Sequence, residues 1–210
     1  MNRLNQIIAV LLLVSSISLA EGFKVKASGS KSFTFFDKYG KNQVTFFSKT
    51  PLEDITGTAS GIKGEVNFDV NDFKTLTGKI TVDVSSMKTG IDLRDEHLFS
   101  DGWLDAEKYP EITFKIKSVK NATKTADNRL TGTLLGSYTM KGVTKDVEAG
   151  FDVTYLDENE QTKMRAPGDL LGVRATFNVK LSDYGVEHMV IGSKVAEDIE
   201  VSVNVIGYNK

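Results

Sequence analysis

Beyond residue 40 most of the chain alternates, one apolar residue and one polar residue at a time. Val66-Asn67-Phe68-Asp69-Val70, Ile80-Thr81-Val82-Asp83-Val84 and Ile112-Thr113-Phe114-Lys115-Ile116 all read this way. So do Val147 to Tyr155, Ala175 to Leu181 and Ile199 to Val205. A period of two sends the apolar residues to one face and the polar residues to the other, the pattern of a half-buried strand. Further strands are expected near Phe23–Ala27, Ser32–Phe36, Val44–Phe47 and Leu130–Tyr138, which brings the total to roughly eight or more.

No segment carries a long helical period, and the connections are rich in Gly, Asn, Asp and Ser. That combination predicts an antiparallel sheet and not βαβ crossovers. A sandwich and a barrel both satisfy the pattern. The pairs Thr56-Gly57, Thr77-Gly78 and Thr131-Gly132 favour the barrel, because glycine within a strand marks a bulge or bend, and bends let long strands curl and close. The expected fold is therefore all-β, an antiparallel eight-stranded β-barrel.

One long stretch breaks the alternation, KTGIDLRDEHLFSDGWLDAEKYPEITF from Lys88 to Phe114. It predicts a short helix near residues 92–100, with Asp92 as N-cap, Asp95 and Glu96 in the dipole-favoured first turn, and Asp101-Gly102 ending it. Arg94 and His97 are three apart and Arg94 and Leu98 four apart, so a basic edge and an apolar edge share one face. Arg94 and His97 suit an anionic or carbonyl head group, since guanidinium offers a planar fork of donors and imidazole a donor or acceptor. The competing reading pairs Arg94 with a nearby carboxylate and has His97 satisfy a loop carbonyl. Trp103, Phe99 and Tyr109 suit a pocket mouth and a core plug equally. His188 reads as a loop or strand-end residue.

Composition narrows the chemistry. There is no cysteine, and His97 and His188 are the only histidines, which removes disulfides, thiol nucleophiles and cysteine- or histidine-rich metal sites. A mixed site of His97 with Asp92, Asp95 or Glu96 is disfavoured, because adjacent acidic residues on a helix point in different directions. Lys and Arg number 26 against 28 Asp and Glu, interspersed along the chain, so nucleic acid is not an expected partner. Glycine-loop nucleotide motifs, HExxH and GxSxG are absent, and with them the commonest nucleotide-binding and hydrolase readings.

Residues 1–20, MNRLNQIIAVLLLVSSISLA, combine Arg3, an apolar run from Ile7 to Val14, and the small residues Ser18 and Ala20. This is the form of a secretory signal peptide cleaved after Ala20, and the apolar run is too short to span a bilayer. The remaining residues 21–210 are expected to form one domain with no transmembrane segment, periplasmic or secreted.

Several motifs together carry a family resemblance. Leu93-Arg94-Asp95-Glu96-His97-Leu98, Ser100-Asp101 and Lys108-Tyr109-Pro110-Glu111-Ile112-Thr113-Phe114 come first. Leu130-Thr131-Gly132, Lys141-Gly142-Val143-Thr144-Lys145, Ser182-Asp183-Tyr184-Gly185-Val186 and the closing strand Ile199 to Val205 follow in order. They resemble the signature of the YceI-like, lipocalin-shaped, polyisoprenoid-binding family. Two departures are visible: residues 23–47 carry no histidine-serine pair, and Leu181 stands where the family usually has arginine. The resemblance implies a lipocalin-like barrel closed on one side by a short helix around an apolar tunnel for a long-chain isoprenoid or similar amphiphilic lipid. By that resemblance Arg94 and His97 lie at the head-group end, and Leu98, Trp103, Tyr109, Phe114, Phe177 and Tyr184 join them as ligand-binding residues. The implied function is non-catalytic sequestration or carriage, with no cofactor, no metal and room for a homodimer. Two alternatives stay open: a lipid-modifying hydrolase or isomerase using Arg94, His97 and a carboxylate, and a filled-core barrel acting as an interaction module.

Overall fold

The structure, a computed structural model, describes residues 21–36 and 41–209, so the leader expected over residues 1–20 lies outside the described residues. Eleven strand segments form one antiparallel sheet that closes on itself. β1 (Ser30–Thr34) and β2 (Gln43–Lys49) follow one another along a single stave, as do β3 (Asp54–Ala59) and β4 (Ile62–Asp69). β5 (Asp72–Asp83) and β6 (Met87–Lys88) share a third, interrupted by a 3₁₀ turn at Val84–Ser86. β7 (Glu111–Ala126), β8 (Arg129–Met140), β9 (Val143–Leu156), β10 (Leu170–Lys180) and β11 (Asp198–Tyr208) complete eight staves in up-and-down order. The seam closes where β11 pairs with both β1 and β2, through Thr34↔Tyr208 and Val44↔Val203. A closed sheet has no open edge to protect.

The expected strands of the second half coincide with β7 to β11, and inward residues follow the alternation in β9 (Ala149, Phe151, Val153, Tyr155) and β10 (Leu171, Val173, Ala175, Phe177, Val179). The segment Phe23–Ala27 is not a strand. It crosses the end of the barrel, where the Phe23 amide donates to the Val70 carbonyl (2.8 Å) and the Lys24 amide to the Asp127 carbonyl (2.6 Å). These bonds satisfy the backbone without a ninth stave.

At the Thr-Gly pairs the structure adds a further role for glycine, close approach to a neighbouring ring. Gly57 and Gly132 pair with β2 and β9 in unbroken register. Each stands directly across from a phenylalanine of the neighbouring strand, Phe46↔Gly57 and Phe151↔Gly132, and a Cβ on either would run into that ring. Only Gly78 of the three has a backbone conformation that other residues rarely adopt, with φ +149 beside the irregular β4–β5 register.

The two ends of the barrel differ. At one end lie the β2–β3 turn, the long crossover from β6 to β7, the tip of the β8–β9 hairpin and the β10–β11 loop. At the other, aromatic side chains fill the lumen. Phe23 packs on Phe68, Phe73 and Tyr155 with ring centroids 5.5 to 5.9 Å apart, and Phe33 stacks on Phe68 at 5.6 Å. Phe23, Phe33, Phe68, Phe73 and Tyr155 are all buried. The Tyr155 hydroxyl donates to Asp169 at 2.6 Å, and burial, with that carboxylate close by, pushes its pKa well above the ordinary tyrosine value.

Candidate functional site

The crossover folds across the open end. Its helix α1 spans Asp92–Phe99, within the region expected from sequence, but the N-cap is Ile91 and Asp92 caps nothing. The acidic residue that organises α1 is Asp95, 4 % exposed. Its carboxylate accepts from the Thr89 amide (2.7 Å) and hydroxyl (2.6 Å), with the Lys88 ammonium at 3.7 Å. The Thr89 hydrogen bonds outweigh the cost of burial and hold the Asp95 carboxyl below the usual carboxylate range, with help from the nearby Lys88 charge. Lys88 also lies 5.9 Å from the centre of the Phe99 ring.

Other contacts secure the crossover to neighbouring loops. Arg94 reaches Glu53 on the β2–β3 turn at 3.8 Å. Lys141 at the hairpin tip donates to the Asp101 carbonyl at 2.9 Å. The Trp103 ring stacks on His188 of the β10–β11 loop, centroids 5.0 Å apart and planes at 22°. The buried Ser48 hydroxyl in turn accepts the Ala196 amide of that loop at 2.8 Å.

Beneath the crossover is a cavity of about 720 Å³, in the range of small-ligand sites. Arg94, His97, Leu98 and Trp103 all line it, together with Glu53, His188 and Lys194. A second space of about 150 Å³ continues deeper, lined almost entirely by carbon, with Phe114 and Phe177 in its wall. Phe46, Met87, Ile112, Tyr138 and Val201 line both. The deeper space reaches Phe73 and Phe151 and stops at the aromatic cluster behind them.

Two sequence-selected residues stand apart from these walls. Tyr109 packs outside, its ring against Gly142 at the hairpin tip. Tyr184 is buried beneath the 3₁₀ turn Leu181–Tyr184, edge-on to Tyr138 at 5.5 Å, and burial, with Asp183 adding to it, pushes its hydroxyl up to about 12. Neither lines the cavities. Sequence reasoning in turn missed Glu53, Lys194 and the stacking of His188 on Trp103. Arg94 and Glu53 are 41 positions apart and Trp103 and His188 are 85 apart, and no local pattern encodes such contacts.

The arrangement is an apolar well with a polar rim. Arg94, Lys194, His97 and His188 supply donors at the rim, while the interior offers no charged group. Among the described residues no group of three or more His, Asp and Glu could hold a metal ion, and no helix is long and apolar enough to cross a membrane.

The family model described as YceI-like domain matches residues 34–206. A UPF0312 protein of Pseudomonas fluorescens is 31% identical over 172 residues, which is 80% of this chain and 84% of that protein. Among solved structures, Burkholderia cenocepacia BcnA superposes with TM-score 0.63 at 19% identity, over 81% of this chain and 99% of its own. A polyisoprenoid binding domain from Saccharophagus degradans superposes with TM-score 0.61 at 12% identity, over 86% and 99%. At these identities the two structures speak for the fold alone.

Proposed function

Because this chain belongs to the YceI-like family, we propose that its barrel binds and carries a long-chain isoprenoid or similar amphiphilic lipid, without chemically altering it, after export to the periplasm or the medium. The observation that carries the reading is the well itself, a 720 Å³ cavity with a polar rim that continues into a carbon-lined space ending blindly at aromatic rings. Removing a tail from water is worth about 0.8 kcal/mol per methylene, so the lumen supplies the affinity. The rim has only to orient the head, through the Arg94 guanidinium with His97 and Lys194 beside it. The Saccharophagus degradans neighbour, named as a polyisoprenoid binding domain, supports the ligand class.

Carriage is favoured over turnover by where the polar groups point. Asp95 is committed to Thr89 and Glu53 is paired with Arg94, so two carboxylates at the mouth are engaged with groups other than His97. The Ser48 hydroxyl in the wall is engaged by the Ala196 amide. General-base or nucleophilic catalysis needs such groups within hydrogen-bond reach of each other. Export rests on the leader-like residues 1–20.

The test is to purify the protein natively, extract it with organic solvent and analyse the extract and the intact protein by mass spectrometry. The expected result is a co-purifying amphiphile, unchanged in mass after prolonged incubation, on a chain that begins at Glu21. Absence of any lipid, together with no binding of an added long-chain prenyl alcohol, overturns the ligand. Products that vanish in His97→Ala overturn carriage without turnover.

A further inference from the structure

The lumen does not run through the barrel. It is wide beneath α1, narrows to the 150 Å³ space, and ends at the rings of Phe73 and Phe151, 5.5 Å apart. Behind Phe73 stand Phe68 at 5.1 Å and Phe23 at 5.6 Å, both buried. Phe23 is not part of the barrel wall. It is brought to this end by the segment before β1, fixed by the hydrogen bond its amide donates to the Val70 carbonyl and by the Phe73 amide donating to the Glu21 carbonyl at 2.8 Å.

From this geometry we infer that Phe73, backed by Phe23, is a depth stop that sets the longest tail the barrel accepts, so that the protein selects amphiphiles by chain length. The inference rests on the lipid-binding reading above and adds to it a specificity determinant. A tail that enters from the rim gains contact with carbon along the whole lumen until its end meets Phe73. Each methylene up to that point is transferred from water to the lumen. Each one beyond it must push aside rings packed at van der Waals distance or fold back toward the rim, and close-packed interiors resist such displacement. Affinity should therefore climb with chain length and then break off sharply. A tunnel open at both ends would show no such break.

The opposite wall provides an independent control. Ala175 lines the narrow space and lies directly across β9–β10 from Phe151. A larger residue there shortens the free path beside Phe151 and leaves Phe73, Phe68 and Phe23 unaltered.

The experiment measures the affinity of straight-chain primary alcohols of increasing length, for the full mature chain and for Phe73→Ala, Phe73→Leu, Phe23→Ala and Ala175→Leu, after circular dichroism has established that each variant is folded. In the wild type Kd should fall about fourfold per added methylene, the equivalent of about 0.8 kcal/mol, until a break beyond which it no longer improves. Phe73→Ala should move the break to tails longer by about two to four carbons, the room left by the ring. Phe73→Leu and Phe23→Ala should move it less, and Ala175→Leu should move it to shorter tails. If alcohols bind but the break is absent, or stays in place in every folded variant, the depth stop is overturned and the lipid-binding reading stands. If Phe73→Ala and Phe73→Leu both fail to fold, an unmoved break in Ala175→Leu and Phe23→Ala overturns it equally. If no alcohol binds the wild type at any length, the lipid-binding reading is what fails.

Discussion

The carboxylate of Asp95 takes both hydrogen bonds that Thr89 can offer, from its amide at 2.7 Å and its hydroxyl at 2.6 Å. The helix over the mouth is thereby tied to the residue that follows β6. Asp95→Asn keeps the shape and loses the charge, and should destabilise the protein by about 1.5–3 kcal/mol at neutral pH, the range for hydrogen bonds to a charged group. The Asp95 pKa is depressed in the folded state. Its stabilisation is therefore complete above the ordinary carboxylate value of about 4 and is lost as pH falls through the depressed value. Denaturant melts across pH should show the two proteins far apart at pH 7 and converging in acid; a gap independent of pH would mean that the charge contributes nothing.

Replacing Arg94 with Ala should weaken binding of an amphiphile with a polar head by about 1–3 kcal/mol and leave a headless hydrocarbon of equal length almost unaffected. The ion pair with Glu53 is half exposed at 3.8 Å and worth at most about 1 kcal/mol, so the fold should survive. Isothermal titration with both ligands separates the outcomes. Equal losses for the two would assign Arg94 to supporting the helix.

Phe177 is buried, 9 % exposed, and borders the lumen, whereas the adjacent Thr176 faces solvent. Phe177→Asp should cost about 3 kcal/mol or more, from a carboxylate placed among carbon atoms, while Thr176→Asp should change stability by about 0.5 kcal/mol or less. Thermal melts of the two variants decide whether the inward and outward faces of β10 are correctly assigned.

Gly132 and Gly150 sit on neighbouring strands and should respond oppositely to a methyl group. A Cβ at Gly132 would collide with the Asn121 carbonyl and approach the Phe151 ring at 2.8 Å, whereas at Gly150 the nearest atom is 3.7 Å away. Gly132→Ala should cost about 1–3 kcal/mol. Gly150→Ala should be neutral or stabilising by up to about 1 kcal/mol. Urea denaturation of both reads the difference directly.

Much of the barrel was legible because one face of each strand is apolar, and β9, β10 and β11 alternate with few exceptions. In β7 legibility ends after Ile116. Extra residues enter the strand between Ile116 and Ser118 and again between Val119 and Asn121, so the residues packed on the core become Ile116, Val119 and Ala122, three apart and not two. Such spacing carries no strand signal. Phe23–Ala27 misled for another reason: apolar residues alternate there, but they meet the end of the barrel and not its wall. At the mouth, the spacing of Arg94, His97 and Leu98 located the shared face of α1. Glu53, His188 and Lys194 arrive from loops distant in sequence, and their presence depends on the closure of the sheet.

Among the described residues, the aromatic cluster closes the far end of the barrel and leaves the mouth beneath α1 as its doorway. A lipid that entered tail first, as proposed, would have to back out head first, along the path it took. On the carrier role proposed above, donor and acceptor would take turns at the same opening, and delivery would become an exchange of two half-steps in which one partner leaves before the next arrives.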